Sequence, residues 1–173
     1  MLARVRAGET AAYAELVTRH APVARRMAVL SGAGSDADDV VQEAFVKAYR
    51  SLSSFRDGAQ FRPWLLRIVI NESRNLHRGR SRRADRELRV AREGARLVTG
   101  SDPEEVAVRE ARRDALLGAI RTLPEELREV VTCRYLLELS ETETAETLDI
   151  PNGTVKSRLR RALAQLREEL PDV

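Results

Sequence analysis

The sequence predicts an all-α protein made of two small helical domains joined by a flexible linker. Three observations lead there. Apolar residues recur with a period near 3.6 through most of the chain and nowhere alternate as a strand requires. That period fades between Arg78 and Ser101, where arginines crowd and Thr99-Gly100-Ser101 closes the stretch. The charge changes at the same place: residues 1–77 hold 11 basic and 8 acidic side chains, residues 78–102 hold 8 and 4, and residues 103–173 hold 11 and 15. A length of 173 residues suits one ordinary domain or two small ones.

From Glu9 to Leu30 a helix is marked by Tyr13, Leu16, Val17, Val23, Met27 and Leu30. Gly32-Ala33-Gly34 stops it, and Ser35 is the expected cap of the next helix, with Asp38 three positions on. The apolar stripe of that second helix is Val40, Val41, Ala44, Phe45, Ala48, Tyr49 and Leu52. A polar turn from Ser53 to Gln60 contains Asp57-Gly58. A third helix is expected from about Phe61 to His77, with Pro63 tolerated in its first turn. The linker follows. Asp102-Pro103-Glu104-Glu105 then combines a capping side chain, a first-position proline and acids at the positive dipole end, and starts a helix to about Thr122. Pro124 opens another, with Leu127, Val130, Val131, Tyr135 and Leu136 inward. Ser140 and Glu143 form a capping box for a short helix ending near Leu148. After Asp149-Ile150-Pro151-Asn152, the last helix runs from about Gly153 to Leu170 on a stripe of Val155, Leu159, Ala162, Leu163 and Leu166.

Composition excludes several classes. One cysteine gives no internal disulfide framework and no Cys-rich zinc site. Two histidines 57 residues apart argue against a histidine metal site, so neither metal nor cofactor is expected. No apolar run approaches a membrane span, and the first ten residues lack the apolar core of a signal peptide. A soluble, cytoplasmic protein is the expectation. Cys133 is read as a buried structural thiol rather than a redox sensor, and His20 and His77 as surface or boundary residues.

The net charge of +3 is too small to argue for nucleic acid, but its distribution does more. Asn152 to Arg167 carries Lys156, Arg158, Arg160, Arg161 and Arg167 with no acid, inside an acidic segment. A short capped helix, a tight turn and a basic amphipathic helix are the parts of a helix-turn-helix. Ala145 and Leu148 are expected to brace the second helix, while Leu159 and Leu163 seat it. Thr154, Lys156, Ser157, Arg160 and Arg161 then project outward, where lysine and arginine suit guanine edges in the major groove.

The run Leu123-Pro124-Glu125-Glu126-Leu127-Arg128-Glu129-Val130, with Arg134-Tyr135-Leu136, Leu139-Ser140 and Ile150-Pro151-Asn152-Gly153-Thr154-Val155-Lys156-Ser157-Arg158-Leu159, resembles region 4 of bacterial sigma-70-family factors. The likeness is to the small extracytoplasmic-function (ECF) group. Asp38-Asp39-Val40-Val41-Gln42-Glu43-Ala44-Phe45 with Lys47-Ala48-Tyr49-Arg50 resembles region 2.2. Phe55-Arg56 through Phe61, Trp64-Leu65 and Ile68-Val69-Ile70-Asn71 resembles regions 2.3 and 2.4. Together these cover about 150 of the 173 residues.

The resemblance implies region 2 over 1–80, a linker over 81–102 and region 4 over 103–173. It implies that Asp39, Gln42 and Glu43 meet the β′ clamp of core RNA polymerase, with region 4 on the β flap. Phe55, Trp64, Asn71, Arg74 and Asn75 would meet the minus-ten promoter DNA, with Arg62 and Arg78 as further candidates; Trp64 is equally a core residue. Lys156, Ser157, Arg160 and Arg161 would read the minus-thirty-five element, with Thr154 and Arg158 on phosphates. Arg160 stands at a position that varies in the family, and Thr144 stands where a larger apolar residue is usual. The long acidic N-terminal extension and region 3 of housekeeping relatives are not expected. The implied function is an alternative-type sigma factor that directs promoter-specific initiation, has no chemistry of its own and is held in check by an anti-sigma protein. A stand-alone helix-turn-helix regulator is the alternative. A DNA-processing enzyme would have only Asp36, Asp38 and Asp39 as clustered carboxylates.

Overall fold

The computed structural model describes residues 1–56, 58–84 and 103–170. Asp57 of the expected turn, the expected linker from residue 85 onward and the Asp102 cap lie outside the described residues. The described residues are helical, with no strand among them. The chain falls into two compact units, Met1–Gly94 and Ala95–Val173.

The first unit holds α1 (Leu2–Arg6), α2 (Thr10–Leu30), α3 (Ala37–Ser51) and α4 (Phe61–Ala84). Its core is dominated by small residues where α2, α3 and α4 meet: Ala24, Ala28, Ala44 and Ala48 are fully buried beside Met27, Leu65, Leu66 and Val69. Short side chains let helices approach closely, so longer residues from the third helix fill the remaining space. α1 was not announced by the sequence, because five residues are too few to show a period. It buries Val5, and Arg6 donates hydrogen bonds to the carbonyls of Leu52 (3.3 Å) and Phe55, tying the chain start to the loop before α4.

Two boundaries differ from the sequence reading. Ser35 does not cap α3. It lies in a 3₁₀ turn, Gly34–Asp36, with its hydroxyl 3.4 Å from Asp36, and Asp36 is the residue preceding the helix. Glycine at 34 takes a positive φ of 58°, which tightens the turn and moves the helix start along by a residue or two. α4 also runs past His77 to Ala84, since its last turns carry arginines and Gly79 and so show no apolar signal. Tyr49, expected inward, is 47% exposed on the flank of α3.

The second unit holds α5 (Pro103–Thr122), α6 (Glu125–Val131), α7 (Glu141–Leu148) and α8 (Asn152–Glu169). Ala119, Ile120, Leu123, Leu127, Val131, Ala162 and Leu166 form one core from α5, α6 and α8. Between α6 and α7 the chain winds as a π-helix, Thr132–Leu136. The wider winding turns side chains away from an α-helical register. Thr132 and Cys133 therefore point inward, and Tyr135, expected in the core, is 56% exposed.

The capping box at α7 is complete: Glu143 N–H donates to Ser140 Oγ at 3.1 Å, and Ser140 N–H donates to Glu143 Oε2 at 2.7 Å. Asp149 then takes a left-handed conformation (φ 57°), one of the few non-glycine types that does so readily, and reverses the chain into α8. The bracing residues differ from the expectation. Thr144 and Thr147 are the buried side chains of α7, while Ala145 and Leu148 are half-buried, as are Leu159 and Leu163 of α8. An eight-residue helix offers a narrow inward stripe, and spacing of three selects the two threonines.

Candidate nucleic-acid and partner interfaces

α8 presents the basic face. Val155, Ala162 and Leu166 are buried beneath it, so Lys156, Ser157, Arg160 and Arg161 face solvent on the other side. Three of the cations meet acids from neighbouring helices. Arg158 donates to Glu126 Oε2 of α6 at 3.0 Å, and Arg161 to Glu126 Oε1 at 3.4 Å. Lys156 lies 3.4 Å from Glu141 at the start of α7. Arg158 is the inward member, its side chain 23% exposed, and serves in the free chain as a tie between α6 and α8. Thr154 is half-buried, and its carbonyl accepts from Ser157 Oγ at 3.1 Å. These acids went unnoticed in the sequence because no local spacing links residues 126 or 141 to the last helix.

In the first unit, Asp39, Gln42 and Glu43 are all exposed on α3, opposite the buried Val40, Ala44 and Ala48. Beside them lies an apolar groove of about 710 Å³ between α2 and α3, walled by Tyr13, Val17, Val41, Phe45, Val46 and Tyr49, with Gln42 and Asp38 at its polar edge. The rings of Tyr13 and Tyr49 meet edge-on at 4.8 Å, and the Tyr13 hydroxyl donates to the Phe45 carbonyl. Burial pushes the Tyr13 phenol up to about 12, so it stays a donor. The signal for this groove was present in the sequence: α3 carries a second apolar line, Val41, Phe45 and Tyr49, beside the one that enters the core.

Phe55 of the loop before α4 joins Phe61 and Trp64 of the first turn of α4 in an aromatic cluster. Phe55 lies 5.0 Å from Trp64 and 6.1 Å from Phe61, centroid to centroid, and Phe61 lies 5.6 Å from Trp64. Phe55 is only 5% exposed and Trp64 is half-buried, so both serve first as packing. His20 of α2 sits on Phe61 at 5.1 Å, where burial, then Arg19 and Arg62, hold its pKa down. Asn71 stands three and four residues before Arg74 and Asn75, which stand four and three before Arg78, so the four share one stripe of α4. Among the described residues no cluster of three His, Cys, Asp or Glu side chains is placed to hold a metal.

A helix-turn-helix with a cationic outer face, paired with a helical unit bearing an acidic face and an apolar groove, defines a DNA-binding adaptor rather than a pocket for a small substrate. Comparison with known proteins makes this specific. Residues 16–83 match Sigma-70 region 2, and residues 113–166 match Sigma-70, region 4. The ECF RNA polymerase sigma-E factor of Escherichia coli K12 is 37% identical over 168 residues, spanning 94% of this chain and 88% of the relative. Among solved structures, CnrH in complex with the cytosolic domain of CnrY shares 28% identity, with TM-score 0.72 over 99% of this chain and 96% of that one. The sigma factor RpoE of Bartonella quintana, solved with the anti-sigma factor NepR, has the same fold at 22% identity and TM-score 0.75, covering 92% of this chain and 97% of that one. The chain belongs to the sigma-70 family of RNA polymerase sigma factors, in the ECF group. It is an alternative-type sigma factor, a subunit that binds core RNA polymerase and directs it to promoter DNA. No helix among the described residues is long and apolar enough to cross a membrane.

Proposed function

We propose that residues 1–80 act as region 2, residues 81–102 as the linker and residues 103–173 as region 4, with polymerase gripped by the first and upstream duplex by the last. Asp39, Gln42 and Glu43 take the β′ clamp, and the adjoining groove adds apolar area for a partner helix. Asn71, Arg74 and Asn75 meet the minus-ten strand, with Phe55 and Trp64 as the apolar floor under the loop that receives an unstacked base. Lys156, Ser157, Arg160 and Arg161 read the minus-thirty-five duplex, and Thr154 and Arg158 approach its phosphates. The β flap holds region 4 in place. The chain works in the cytoplasm, and polymerase performs all the chemistry.

The observation that carries this reading is the segregation of chemistry within each unit: acid and amide groups beside an apolar groove on α3, and cations on the outer face of α8. An anti-sigma protein would silence the chain by covering these same faces. The Bartonella quintana structure is a sigma–anti-sigma complex of this fold, which supports that reading.

The test is reconstitution with core polymerase and run-off transcription over genomic fragments. Asp39→Lys with Gln42→Lys should abolish polymerase binding and leave the fold intact. Lys156→Ala with Arg161→Ala should keep polymerase and weaken upstream recognition. Wild-type behaviour from both variants would overturn the residue assignments. Specific promoter binding by the chain without polymerase would favour the stand-alone regulator. Native-cell capture that recovers polymerase subunits alone would count against anti-sigma control.

A further inference from the structure

One polar chain joins α3 to α4 through Lys47 and Glu72, which have no role so far. The Lys47 ammonium lies 3.7 Å from Glu43 and 2.6 Å from Glu72 Oε2. The side chain of Glu72 is only 13% exposed, so its charge needs a close partner, and Lys47 supplies it. The same contact, ahead of any other influence, raises the Lys47 pKa, which keeps the ammonium charged. The second oxygen of Glu72 accepts from Asn75 Nδ2 at 3.4 Å, and Arg78 donates to Asn75 Oδ1 at 2.7 Å. A carboxylate only accepts and a guanidinium only donates, so the Asn75 amide is turned one way round, held at both ends. The acid face assigned to polymerase and an amide assigned to DNA therefore share one lysine.

We infer that Lys47 and Glu72 are positioning residues that orient the Asn75 amide, with Arg78, for hydrogen bonding to the minus-ten strand. An amide free to rotate would offer donor and acceptor to the strand in either order, and half of its orientations would oppose the bond. The inference rests on the placement of Asn75 at the minus-ten strand proposed above.

The test uses holoenzyme reconstituted with the full chain. The probe is a promoter fragment recovered from the run-off screen, prepared with its minus-ten segment single-stranded. Glu72→Gln and Lys47→Met should each weaken binding of this probe about three- to tenfold, the scale of one lost or misdirected hydrogen bond. Lys47→Arg should bind like wild type, because it keeps the ion pair. Asn75→Ala should weaken binding too, and Glu72→Gln added to Asn75→Ala should cost nothing more, since the acid acts through the amide. Additive losses would show a merely structural role for Glu72 and overturn the inference, as would wild-type binding by Glu72→Gln while Asn75→Ala is impaired. If Asn75→Ala binds like wild type, the placement of Asn75 fails and takes this inference with it. Melting followed by Trp64 fluorescence separates lost orientation from lost fold: Lys47→Met should lower the midpoint, because it leaves the Glu72 carboxylate without its partner, while each variant stays folded at the temperature of the binding assay.

Discussion

Replacing Thr144 with valine should stabilise the second unit. Thr144 is fully buried and Thr147 is 1% exposed, and neither hydroxyl has a hydrogen-bond partner among the described residues. A buried hydroxyl without a partner costs about 1–3 kcal/mol. Valine keeps the β-branch and nearly the same volume, so helix propensity and side-chain rotamer change little. Taking the low end of the penalty, and allowing for partial relaxation around the hydroxyl, gives about 1 kcal/mol for Thr144→Val. For a unit of this size that raises the melting midpoint by roughly 4–8 °C. Far-UV circular dichroism follows both units. Trp64 is the only tryptophan and lies in the first unit, so its fluorescence is the internal control. The expected result is a higher midpoint in the dichroism transition that Trp64 does not report. A lower or unmoved midpoint would refute the argument, because it would mean the hydroxyl is satisfied in solution. Thr147→Val should act in the same direction, and polymerase-dependent transcription should persist in both variants.

Glu126→Gln should free Arg158 and Arg161 from their shared carboxylate, so upstream duplex binding by holoenzyme becomes more salt-dependent, with a slope steeper by about one; an unchanged slope would show that the carboxylate does not compete with phosphate. Gly32→Ala should destabilise the first unit by more than about 1 kcal/mol, read from Trp64 fluorescence. At that glycine φ is +89°, and a Cβ would stand 2.8 Å from His77 Nε2, which already meets the Ser31 carbonyl at 3.0 Å. Burial, and to a lesser degree Glu129, pushes the Cys133 thiol from 9.0 to about 12. The unfolded thiol ionises first, so its contribution to stability is whole below about pH 9 and is lost as pH climbs from 9 towards 12. Folded chain should leave a thiol reagent unconsumed near neutral pH until denaturant is added, and Cys133→Val should flatten the alkaline fall in stability.

Local chemistry carried the legible part of this protein. The Ser140–Glu143 capping box, the turn at Asp149, the start of α5 at Pro103 and the apolar stripes of α2 and α8 follow from nearest neighbours along the chain and are legible in the sequence. Features that depend on winding or on distant partners did not show. The π-turn that expels Tyr135 has no spacing signature, because it changes the register that a periodicity search assumes. Glu126, Glu141 and Glu72 are ordinary surface acids by sequence; only the crossing of helices brings them to Arg158, Arg161, Lys156 and Lys47. Thr144 showed the reverse case. Its oddness was visible as a polar residue at an apolar site, but which face of α7 turned inward required the packed structure.

The double use of Glu126 constrains how this protein can change its targets. Its two oxygens serve arginines on adjacent turns of α8, one seating that rod and the other displayed outward. Exchange of either arginine leaves the acid with a vacant oxygen and a stronger hold on its remaining guest. The two positions are thus not independent letters: a lineage drifting toward a new upstream sequence would be expected to alter residue 126 in the same step.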